Sequence, residues 1–413
     1  MSFTSAHRRD LALVATGRGV SLLGDEVAVL GLMLWASVRG EGPLLVAALL
    51  VAAALPQLVA APLAGLLADR VPTRRLVARV SLLQSAVVLA LVAAVASGSL
   101  PLVVLGVLVL NIGQSVANPA WQALVPTIAP GDALPRALST LQTVTASAML
   151  LGPAVGGLLV GSVGITAALV VDAVSFLALA VFALALRVER RPEREEHEKG
   201  AAWAGVRVVV RSPLLRAMFL LLASTVIAIG AVNVAEIFLI TQRLGASPQV
   251  YGAIGALFAL GLMVGAIAAR RPLGVRGSAR LLVLVLAWMS AALAGLGLAP
   301  TLAVGAVATF AVGVGNGMLN VLVQSIVVRR TPAPVLGRVF AALSALVGAG
   351  MLVATTAGGA LLAVVDVRVL IVSCAALSLV VVAAVGRVLW TAHDDEPAAS
   401  PGVRAEPAKA EVA

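Results

Sequence analysis

The stretch LGPAVGGLLVGSVGITAALVVDAVSFLALA, residues 151–180, contains two apolar runs separated only by the segment GSVG. A helix needs about 20 mostly apolar residues to cross the ~30 Å hydrocarbon core of a bilayer, and both runs reach that length when their flanks are included. Because so short a connection cannot itself cross a membrane, the two helices are predicted to form an antiparallel hairpin. The sequence here predicts a bundle of membrane-spanning helices.

The composition of the whole chain agrees with this prediction. Of 413 residues, 61% are hydrophobic and 12% are charged, and the mean hydropathy is +1.08, whereas soluble domains are about half apolar and a quarter charged. The net charge of +10 does not indicate nucleic-acid binding, because the basic residues are scattered in short loops without interleaved aromatic side chains. We therefore expect an all-α integral membrane protein.

Twelve stretches have the length and polarity of membrane-spanning helices. They are residues 11–38, 43–68, 76–98, 100–124, 137–161, 163–187, 214–240, 249–270, 279–299, 301–328, 338–364 and 367–390. Cytoplasmic loops collect Lys and Arg, and if the N-terminus is inside, the outward loops contain only Arg39, Arg243 and Arg368 of the 29 basic residues. This asymmetry predicts two cytoplasmic termini, and the excess of Arg over Lys favours the inner (plasma) membrane of a bacterium.

The largest inward segment, residues 187–213, separates six helices from six. A short amphipathic helix at the membrane interface is predicted there from the apolar Trp203, Val206, Val209 and Val210, with Arg207 and Arg211 on another face. The chain therefore divides into an N-terminal six-helix half (1–187), a cytoplasmic linker (188–213), a C-terminal six-helix half (214–390) and a tail predicted to be disordered (391–413).

The two halves repeat each other at an offset of about 202 residues. The matched pairs are Asn118 and Asn320, Gln122 and Gln324, Pro130 and Pro332, Arg136 and Arg338, and Gly156-Gly157 and Gly358-Gly359. Because six spans is an even number, the two copies have the same orientation and are related by an axis along the membrane normal. Some secondary transporters are built in this way, with a substrate site near the midplane between the halves. Chance matching of glycine-rich helices is the alternative interpretation.

The loop after helix 2 is GLLADRVPTRRL, residues 65–76. It resembles the G-x-L-A-D-R-x-G-R-K loop signature of the major facilitator superfamily, although Pro72 and Thr73 replace the usual Gly and Arg. The resemblance implies the major facilitator fold, and a loop that latches the outward-open state through Gly65, Asp69, Arg70, Arg74 and Arg75. Simple anchoring by positive charge would explain Arg74 and Arg75 but not Asp69.

Helix 5 contains LGPAVGGLL, residues 151–159, which resembles the G-P-x-x-G-G signature of the drug/proton antiporter branch of that superfamily through Gly152, Pro153, Gly156 and Gly157. In the second half Ala354 and Thr355 replace the first two residues. Segments in helices 1, 4, 6, 7 and 8 are similar to the enterobactin-exporter-like and macrolide-efflux-like subgroup, which implies export. Helix 4 departs from many drug/proton antiporters because it has no Arg between residues 101 and 123.

Five charged residues lie within the predicted spans: Arg18, Asp25, Glu26, Asp172 and Glu236. An acid or Arg at a helix centre costs about 2.5–3.5 kcal/mol on insertion scales, so these side chains should face the protein interior or a water-filled cavity. They are our candidates for proton coupling or for binding a substrate charge, with Asp25 first and Glu26 second. Since Asp25 and Glu26 point about 100° apart, we expect one to face the cavity and the other a neighbouring helix.

The other three charges each have a structural alternative. Arg18 lies about two turns before Asp25 on the same helix face, so it can pair with that acid if extended, or reach the cytoplasmic interface instead. Asp172 occupies a position where the resembling proteins often have Asn, which favours buried hydrogen bonding over titration. Glu236 can titrate or can pair with Arg243.

Amide side chains on helices 4, 7 and 10 are candidates for lining the cavity, although interhelical hydrogen bonding would leave the same signature. They are Asn111, Gln114, Asn118, Asn233, Asn316, Asn320 and Gln324. The sequence has no G-x-x-x-x-G-K-[ST] phosphate loop and no G-x-S-x-G, and its three His lie outside the spans. We therefore expect no enzyme activity, metal or cofactor, and a proton gradient as the energy source.

These observations together predict a twelve-helix secondary transporter that functions as a monomer. We expect proton-coupled efflux of amphipathic small molecules (drugs, macrolides, siderophores or secondary metabolites) by alternating access. Its partners would be the substrate, protons and the lipid bilayer, and not nucleic acid. Two alternatives stay open: an importer or facilitator of a small metabolite on the same fold, and a non-transporting membrane partner or sensor.

Overall fold

A computed structural model describes residues 5–39, 42–59, 71–129, 133–188, 207–270, 273–331 and 336–391. Within these ranges the chain forms twelve long helices and no strands, which confirms the all-α prediction. The helices are α1 Ser5–Val38, α2 Gly42–Val59, α3 Thr73–Ser97, α4 Leu100–Ile128, α5 Leu134–Ser162, α6 Ile165–Ala185, α7 Pro213–Phe238, α8 Pro248–Ala268, α9 Val275–Gly297, α10 Leu302–Arg330, α11 Leu336–Leu362 and α12 Val367–Trp390.

Eleven of these helices are long and apolar enough to cross a membrane. The exception is α2, whose apolar part within the described residues, Gly42–Pro56, is shorter. The predicted continuation of that span to residue 68 lies outside the described residues. Large apolar side chains are exposed along the outside of the bundle, for example Leu83 on α3, Val174 on α6 and Val380 on α12. The protein is therefore a multi-pass membrane protein whose outer surface suits lipid.

The segment GSVG between α5 and α6 reverses the chain as predicted. Gly164 has a φ of 97°, a left-handed backbone conformation that residues with a Cβ rarely adopt. Its N–H donates to the carbonyl oxygens of Leu159 and Val160, at 3.2 and 3.1 Å, which closes the end of α5. The two helices of residues 151–180 thus form the expected hairpin.

The same pairs of helices pack together in both halves of the chain. In the first half α1 packs against α5 and α6, α3 packs against α4 and α6, and α2 packs against α4. In the second half α7 packs against α11 and α12, α9 packs against α10 and α12, and α8 packs against α10. The sequence offset of about 202 residues is therefore a structural repeat.

Two helix pairs join the halves: α5 with α8, and α2 with α11. One glycine of each repeated pair, Gly157 and Gly359, lies at these junctions. A Cβ atom built on Gly157 would lie 2.9 Å from Gly252 Cα on α8, and one built on Gly359 would overlap Ala47 on α2. Because real Cβ atoms do not approach so closely, the absence of a side chain at these positions lets helices of the two halves touch.

The short segment before α7 differs from its prediction. Residues 207–211 are helical, and Val208 and Val209 are buried in the core of the second half, whereas Val210 is 58% exposed. The expectation that Val209 and Val210 share the apolar face is therefore wrong, because packing against Leu214 and Leu215 sets the rotation of this segment. Trp203 and Val206 lie outside the described residues.

Candidate functional site

A cavity of about 290 Å³ lies within the first half, between α1, α2, α4 and α6. The sequence candidates that line it are Arg18, Asp25, Glu26, Asp172, Asn111, Gln114 and Asn118. The rest of the wall is apolar, as is usual for sites that bind small molecules with a few orienting polar groups. The fold thus brings four of the five predicted intramembrane charges to one cavity.

Asp25 is held by an amide from α4. Gln114 Nε2 donates to Asp25 Oδ2 at 2.7 Å, the short distance typical of a hydrogen bond to a carboxylate. Arg18 interacts electrostatically with Asp25, but within the described chain no carboxylate oxygen lies within 4.0 Å of the Arg18 guanidinium. The direct partner of Asp25 is therefore Gln114.

Asp172 is fully buried in α6 beside the same cavity. The hydroxyl of Ser175 donates to Asp172 Oδ1 at 3.3 Å and to the Asp172 backbone oxygen at 2.7 Å. The other carboxyl oxygen, Oδ2, has no hydrogen-bond partner among the described residues. Since a buried polar atom without a partner costs free energy, this oxygen is available to a proton, a water molecule or a ligand.

A second cavity of about 290 Å³ lies between the two halves, with α1, α2 and α5 on one side and α7, α8 and α10 on the other. Glu236 lines it together with Asn233, Tyr251 and Thr309, and Thr309 Oγ1 donates to Glu236 Oε1 at 3.2 Å. Each half therefore supplies at least one carboxylate to the space between them.

The alternative that Glu236 pairs with Arg243 is wrong. Arg243 forms an ion pair with Asp366, the residue that caps the N-terminus of α12. Arg243 lies in the π-helical turn Leu239–Arg243 that follows α7, beside the start of α12. Glu236 stays two turns away, inside the cavity.

Glu26 lies at the boundary of the two cavities. Both cavities are lined by Glu26, Val29, Met33 and Leu50. The expectation that only one of Asp25 and Glu26 faces a cavity is wrong, because both side chains line the first cavity, which extends around more than one face of α1. Asp25 faces α4, whereas Glu26 is accessible from both spaces.

The glycines of helix 5 make room for this arrangement. A Cβ atom on Gly152 would overlap the Cβ of Glu26, and one on Gly156 would lie 3.1 Å from Val27 Cα. Pro153 lines the second cavity. The motif thus packs α5 closely against the part of α1 that carries the acids.

The remaining candidates are placed as follows. Asn316 lines a small cavity of about 40 Å³ with Glu236 and Asn233, and Asn320 Nδ2 donates to Asn316 Oδ1 at 2.9 Å. Asn320 and Gln324 have exposed side chains, outside the linings of the cavities named above. Arg74 and Arg75 lie in the first turn of α3, while Gly65, Asp69 and Arg70 of the same loop lie outside the described residues.

Sequence reasoning missed Tyr251 and Thr309. Tyr251 is the only tyrosine of the chain and lies in an otherwise apolar span, which is a signal that a polar contact is expected there. Thr309 has no such signal, because threonine is common in membrane helices and bonds its own backbone there as readily as another helix.

Two six-helix repeats around a central space lined by carboxylates and amides define a membrane transporter that binds small molecules within a lipid bilayer. The chain belongs to the Major Facilitator Superfamily, whose family model matches residues 19–241 and 218–412. The relatives of this chain include an uncharacterized MFS-type transporter, YfiS, of Bacillus subtilis (strain 168), which is 26% identical over 91% of this chain and 92% of the relative. Another, y4rN of Sinorhizobium fredii, is 30% identical over 63% of this chain and 64% of the relative.

Solved structures show the same fold. The nucleoside transporter NupG superposes with a TM-score of 0.73 at 12% identity, covering 94% of this chain and 100% of that one. A bacterial homologue of the iron transporter ferroportin, in an inward-facing state, superposes with a TM-score of 0.66 at 16% identity, covering 93% and 99%. At these identities the likeness concerns the fold alone.

Proposed function

We propose that this transporter is a proton-coupled exporter of amphipathic small molecules that works by alternating access. The observation that carries the proposal is the position of Glu26, which lines both the cavity around Asp25 and the cavity between the halves. A carboxyl group in such a place can hold either a proton or a cationic group of a substrate, but not both. Competition of this kind is the simplest way to exchange one for the other.

The walls of the two cavities support an amphipathic substrate. Apart from the charged and amide groups and the hydroxyls of Tyr251 and Thr309, their lining is apolar, including Leu32, Met33, Leu50 and Phe258. Such a surface binds the apolar body of a ligand without directional contacts, while the few polar groups orient it. Met33 adds a flexible side chain that adapts to different shapes.

Alternating access requires that the halves move against each other. The described junctions between them are built from small residues, Gly157 with Gly252 and Gly359 with Ala47. In addition, Gln242 Nε2 donates to the backbone oxygen of Ser37 at 2.8 Å, which joins α1 to the end of α7. All of these contacts lie toward the end of the bundle where α1 ends and α2 begins, which the distribution of basic residues predicts to be the outer end.

We further propose that the protein acts as a monomer in the plasma membrane of a bacterium, with both termini in the cytoplasm. The proposed division of the chain is two six-helix halves, residues 1–187 and 214–390, joined by a cytoplasmic linker. The excess of basic residues in the predicted inner loops supports this orientation. The proton gradient would supply the energy, since the sequence lacks a phosphate-binding loop for ATP.

The test is transport by purified protein in liposomes with an imposed pH gradient. Vesicles containing the pH-sensitive dye pyranine are exposed to a panel of amphipathic compounds that includes ethidium and erythromycin, and proton movement is followed by fluorescence. An exporter moves protons against the substrate, so a compound added on the substrate side triggers proton flow in the opposite direction. Movement of substrate and proton in the same direction would instead establish an importer.

The third possibility, a non-transporting partner protein, makes a different prediction in the same assay. Folded protein that moves no compound of the panel, yet is recovered from cells with a stoichiometric protein partner, would contradict transport. Asp25→Asn provides the internal control for coupling, because it removes the titratable group while preserving its size.

A further inference from the structure

A third cavity, of about 330 Å³, lies between α1, α4 and α5. It extends toward the N-terminal end of α1, because its lining includes Val14 and Arg18, whereas the first cavity extends along α1 from Arg18 to Met33. Arg18 lines both cavities. The guanidinium therefore stands between the acids of the first cavity and this separate space.

The polar side chains that line the third cavity carry one positive charge and, among the described residues, no negative charge. Arg18 contributes a guanidinium, Trp121 an indole N–H, and Gln122 and Gln142 contribute amides, while no carboxylate is among the described residues that line the cavity. The hydroxyl of Thr145 is already engaged, since it donates to the backbone oxygen of Leu141 at 3.0 Å. This composition is opposite in charge to that of the first two cavities.

Two of these donor groups, Trp121 and Arg18, lack a hydrogen-bonded or ion-paired acceptor among the described residues. Trp121 is only 3% exposed, and its indole nitrogen has no hydrogen-bond partner among the described residues. The guanidinium of Arg18 has no carboxylate oxygen within 4.0 Å in the described chain. Gln122 and Gln142 are exposed and belong to the lining of the cavity. Of these groups only the Trp121 indole nitrogen is buried, so an acceptor that reaches it would remove a cost in free energy. The guanidinium and the two amides are accessible and can bind an acceptor that the protein does not supply.

We propose that this cavity binds an oxyanion carried on an apolar body, with Arg18 as its charged partner and Trp121, Gln122 and Gln142 as neutral donors. The ligand is a carboxylate if it is a transported solute, and an anionic headgroup if it is a lipid. The inference goes beyond the proposed function, because it assigns a separate site for an anionic group. A transported carboxylate would reach Arg18 from one side while Asp25 faces the same guanidinium from the other.

The site occurs only once in the duplicated chain, which argues against a purely structural role. At the repeat offset of 202 residues, Gln122 corresponds to Gln324, but Trp121 corresponds to Val323. Gly156 packs on Val27, and its counterpart Gly358 packs on Ala231. The first helices of the two halves therefore align at an offset of 204 residues. At that offset Arg18 corresponds to Leu222. Packing of the repeat therefore does not require the cation or the indole.

The test is direct binding of two matched probes to the full-length protein in phosphatidylcholine nanodiscs, measured by calorimetry. The probes are 2-naphthoate and its neutral counterpart 2-naphthamide. We expect naphthoate to bind about tenfold or more tightly than naphthamide, because the hydrogen bonds to a carboxylate are charge-assisted. Equal affinity of the two probes for the wild-type protein would overturn the proposal without any variant.

Substitutions locate the site. Arg18→Gln should weaken naphthoate binding about tenfold or more and leave naphthamide binding unchanged. Arg18→Lys should retain most of the preference for naphthoate over naphthamide. Trp121→Phe keeps an aromatic ring but removes the indole N–H, and it should weaken naphthoate binding about threefold. Gln122→Leu should also weaken naphthoate, whereas its repeat counterpart Gln324→Leu should not. Naphthoate binding that Arg18→Gln leaves unchanged would place the anion elsewhere and refute the assignment.

The source of the oxyanion is distinguished in nanodiscs that contain phosphatidylglycerol. If a lipid headgroup occupies the site, phosphatidylglycerol weakens naphthoate binding to the wild-type protein but not to Arg18→Gln; if a solute occupies it, phosphatidylglycerol has no effect. Both results support an oxyanion site. Because binding needs no pH gradient, a protein that binds naphthoate but exports nothing would contradict the proposed function and not this inference.

Discussion

Gly152 on α5 packs directly against the side chain of Glu26 on α1, so closely that a Cβ atom at position 152 would overlap the Cβ of Glu26. In the second half the glycine lies on the other helix: Ala354 of α11 corresponds to Gly152, and Gly230 of α7 corresponds to Glu26. A Cβ atom built on Gly230 would lie 2.6 Å from the Ala354 Cβ. The α1–α5 contact and the α7–α11 contact therefore each have room for one of these two side chains only. Gly152 thus makes room for the side chain of Glu26, whereas Gly230 makes room for Ala354 at the corresponding contact.

This relationship predicts that Gly152→Ala destabilises the protein. Inserting a methyl group into a closely packed contact typically costs about 1–3 kcal/mol, and here it must displace the part of α1 that carries Asp25 and Glu26. We expect a lower melting temperature in detergent and a loss of transport. Melting followed by the fluorescence of the intrinsic tryptophans or by light scattering measures the first effect.

The matched control for Gly152→Ala is Gly295→Ala on α9. A Cβ atom at position 295 meets no atom within 4 Å, and alanine is favoured over glycine in a helix by roughly 1 kcal/mol, so this variant should be as stable as the wild type or more so. The double variant Glu26→Gly with Gly152→Ala reproduces the arrangement of the second half, and its stability should recover. If Gly152→Ala melts like Gly295→Ala, the packing account is wrong.

Coupling to protons should depend on Asp25 as well as on Glu26, because both acids line the first cavity. In Asp25→Asn the side chain keeps its size and can still meet Gln114, whose Nε2 lies 2.7 Å from Oδ2, but it can no longer release a proton. We expect exchange of substrate across the membrane at equal pH to persist, while accumulation driven by a pH gradient is lost. Full gradient-driven export by Asp25→Asn would exclude this residue as the coupling group. Glu26→Gln, tested in parallel, shows whether the second acid contributes.

The sequence predicted the fold in detail because its signals are local and strong. The α5–α6 hairpin follows from two apolar runs around GSVG, and the repeat follows from paired residues such as Gly157 and Gly359. The site was predicted less completely. Which neighbours surround Asp25 and Glu26 depends on how α1, α4 and α5 are arranged, and that arrangement leaves no periodic pattern in the sequence.

The partner of Glu236 shows the same limit. Arg243 is close in sequence and opposite in charge, which suggested an ion pair, but a π-helical turn carries Arg243 to Asp366 instead. The actual partner, Thr309, comes from a helix about seventy residues further along the chain. Closeness in sequence therefore does not identify the partner of either side chain, because the partners come from helices that pack beside them.

The separation of Glu236 from Arg243 leads to a prediction about substrate binding. Glu236→Gln removes a charge from the cavity between the halves and should weaken binding of a cationic substrate such as ethidium, by about tenfold if the two make a charge-assisted contact. Arg243→Ala breaks only an exposed ion pair, which is typically worth about 0–1 kcal/mol, and should leave ethidium affinity unchanged. A similar loss of affinity in both variants would mean that Arg243 and Glu236 act together after all.

The contact between Gly157 and Gly252 should control the movement of the halves. A Cβ atom on Gly157 would lie 2.9 Å from Gly252 Cα and would also crowd the backbone oxygen of Pro248, so Gly157→Leu cannot be accommodated while α5 and α8 touch as they do here. Because Gly157 is at the predicted outer end, the variant should favour a state that is open on that side. Labelling of a cysteine introduced at Thr309, measured with a membrane-impermeant maleimide added from outside, should become faster. The control is the same cysteine in a Gly295→Leu background, since position 295 lies in open space on α9. Unchanged labelling in Gly157→Leu, with folding intact by melting analysis, would show that this junction does not open during transport.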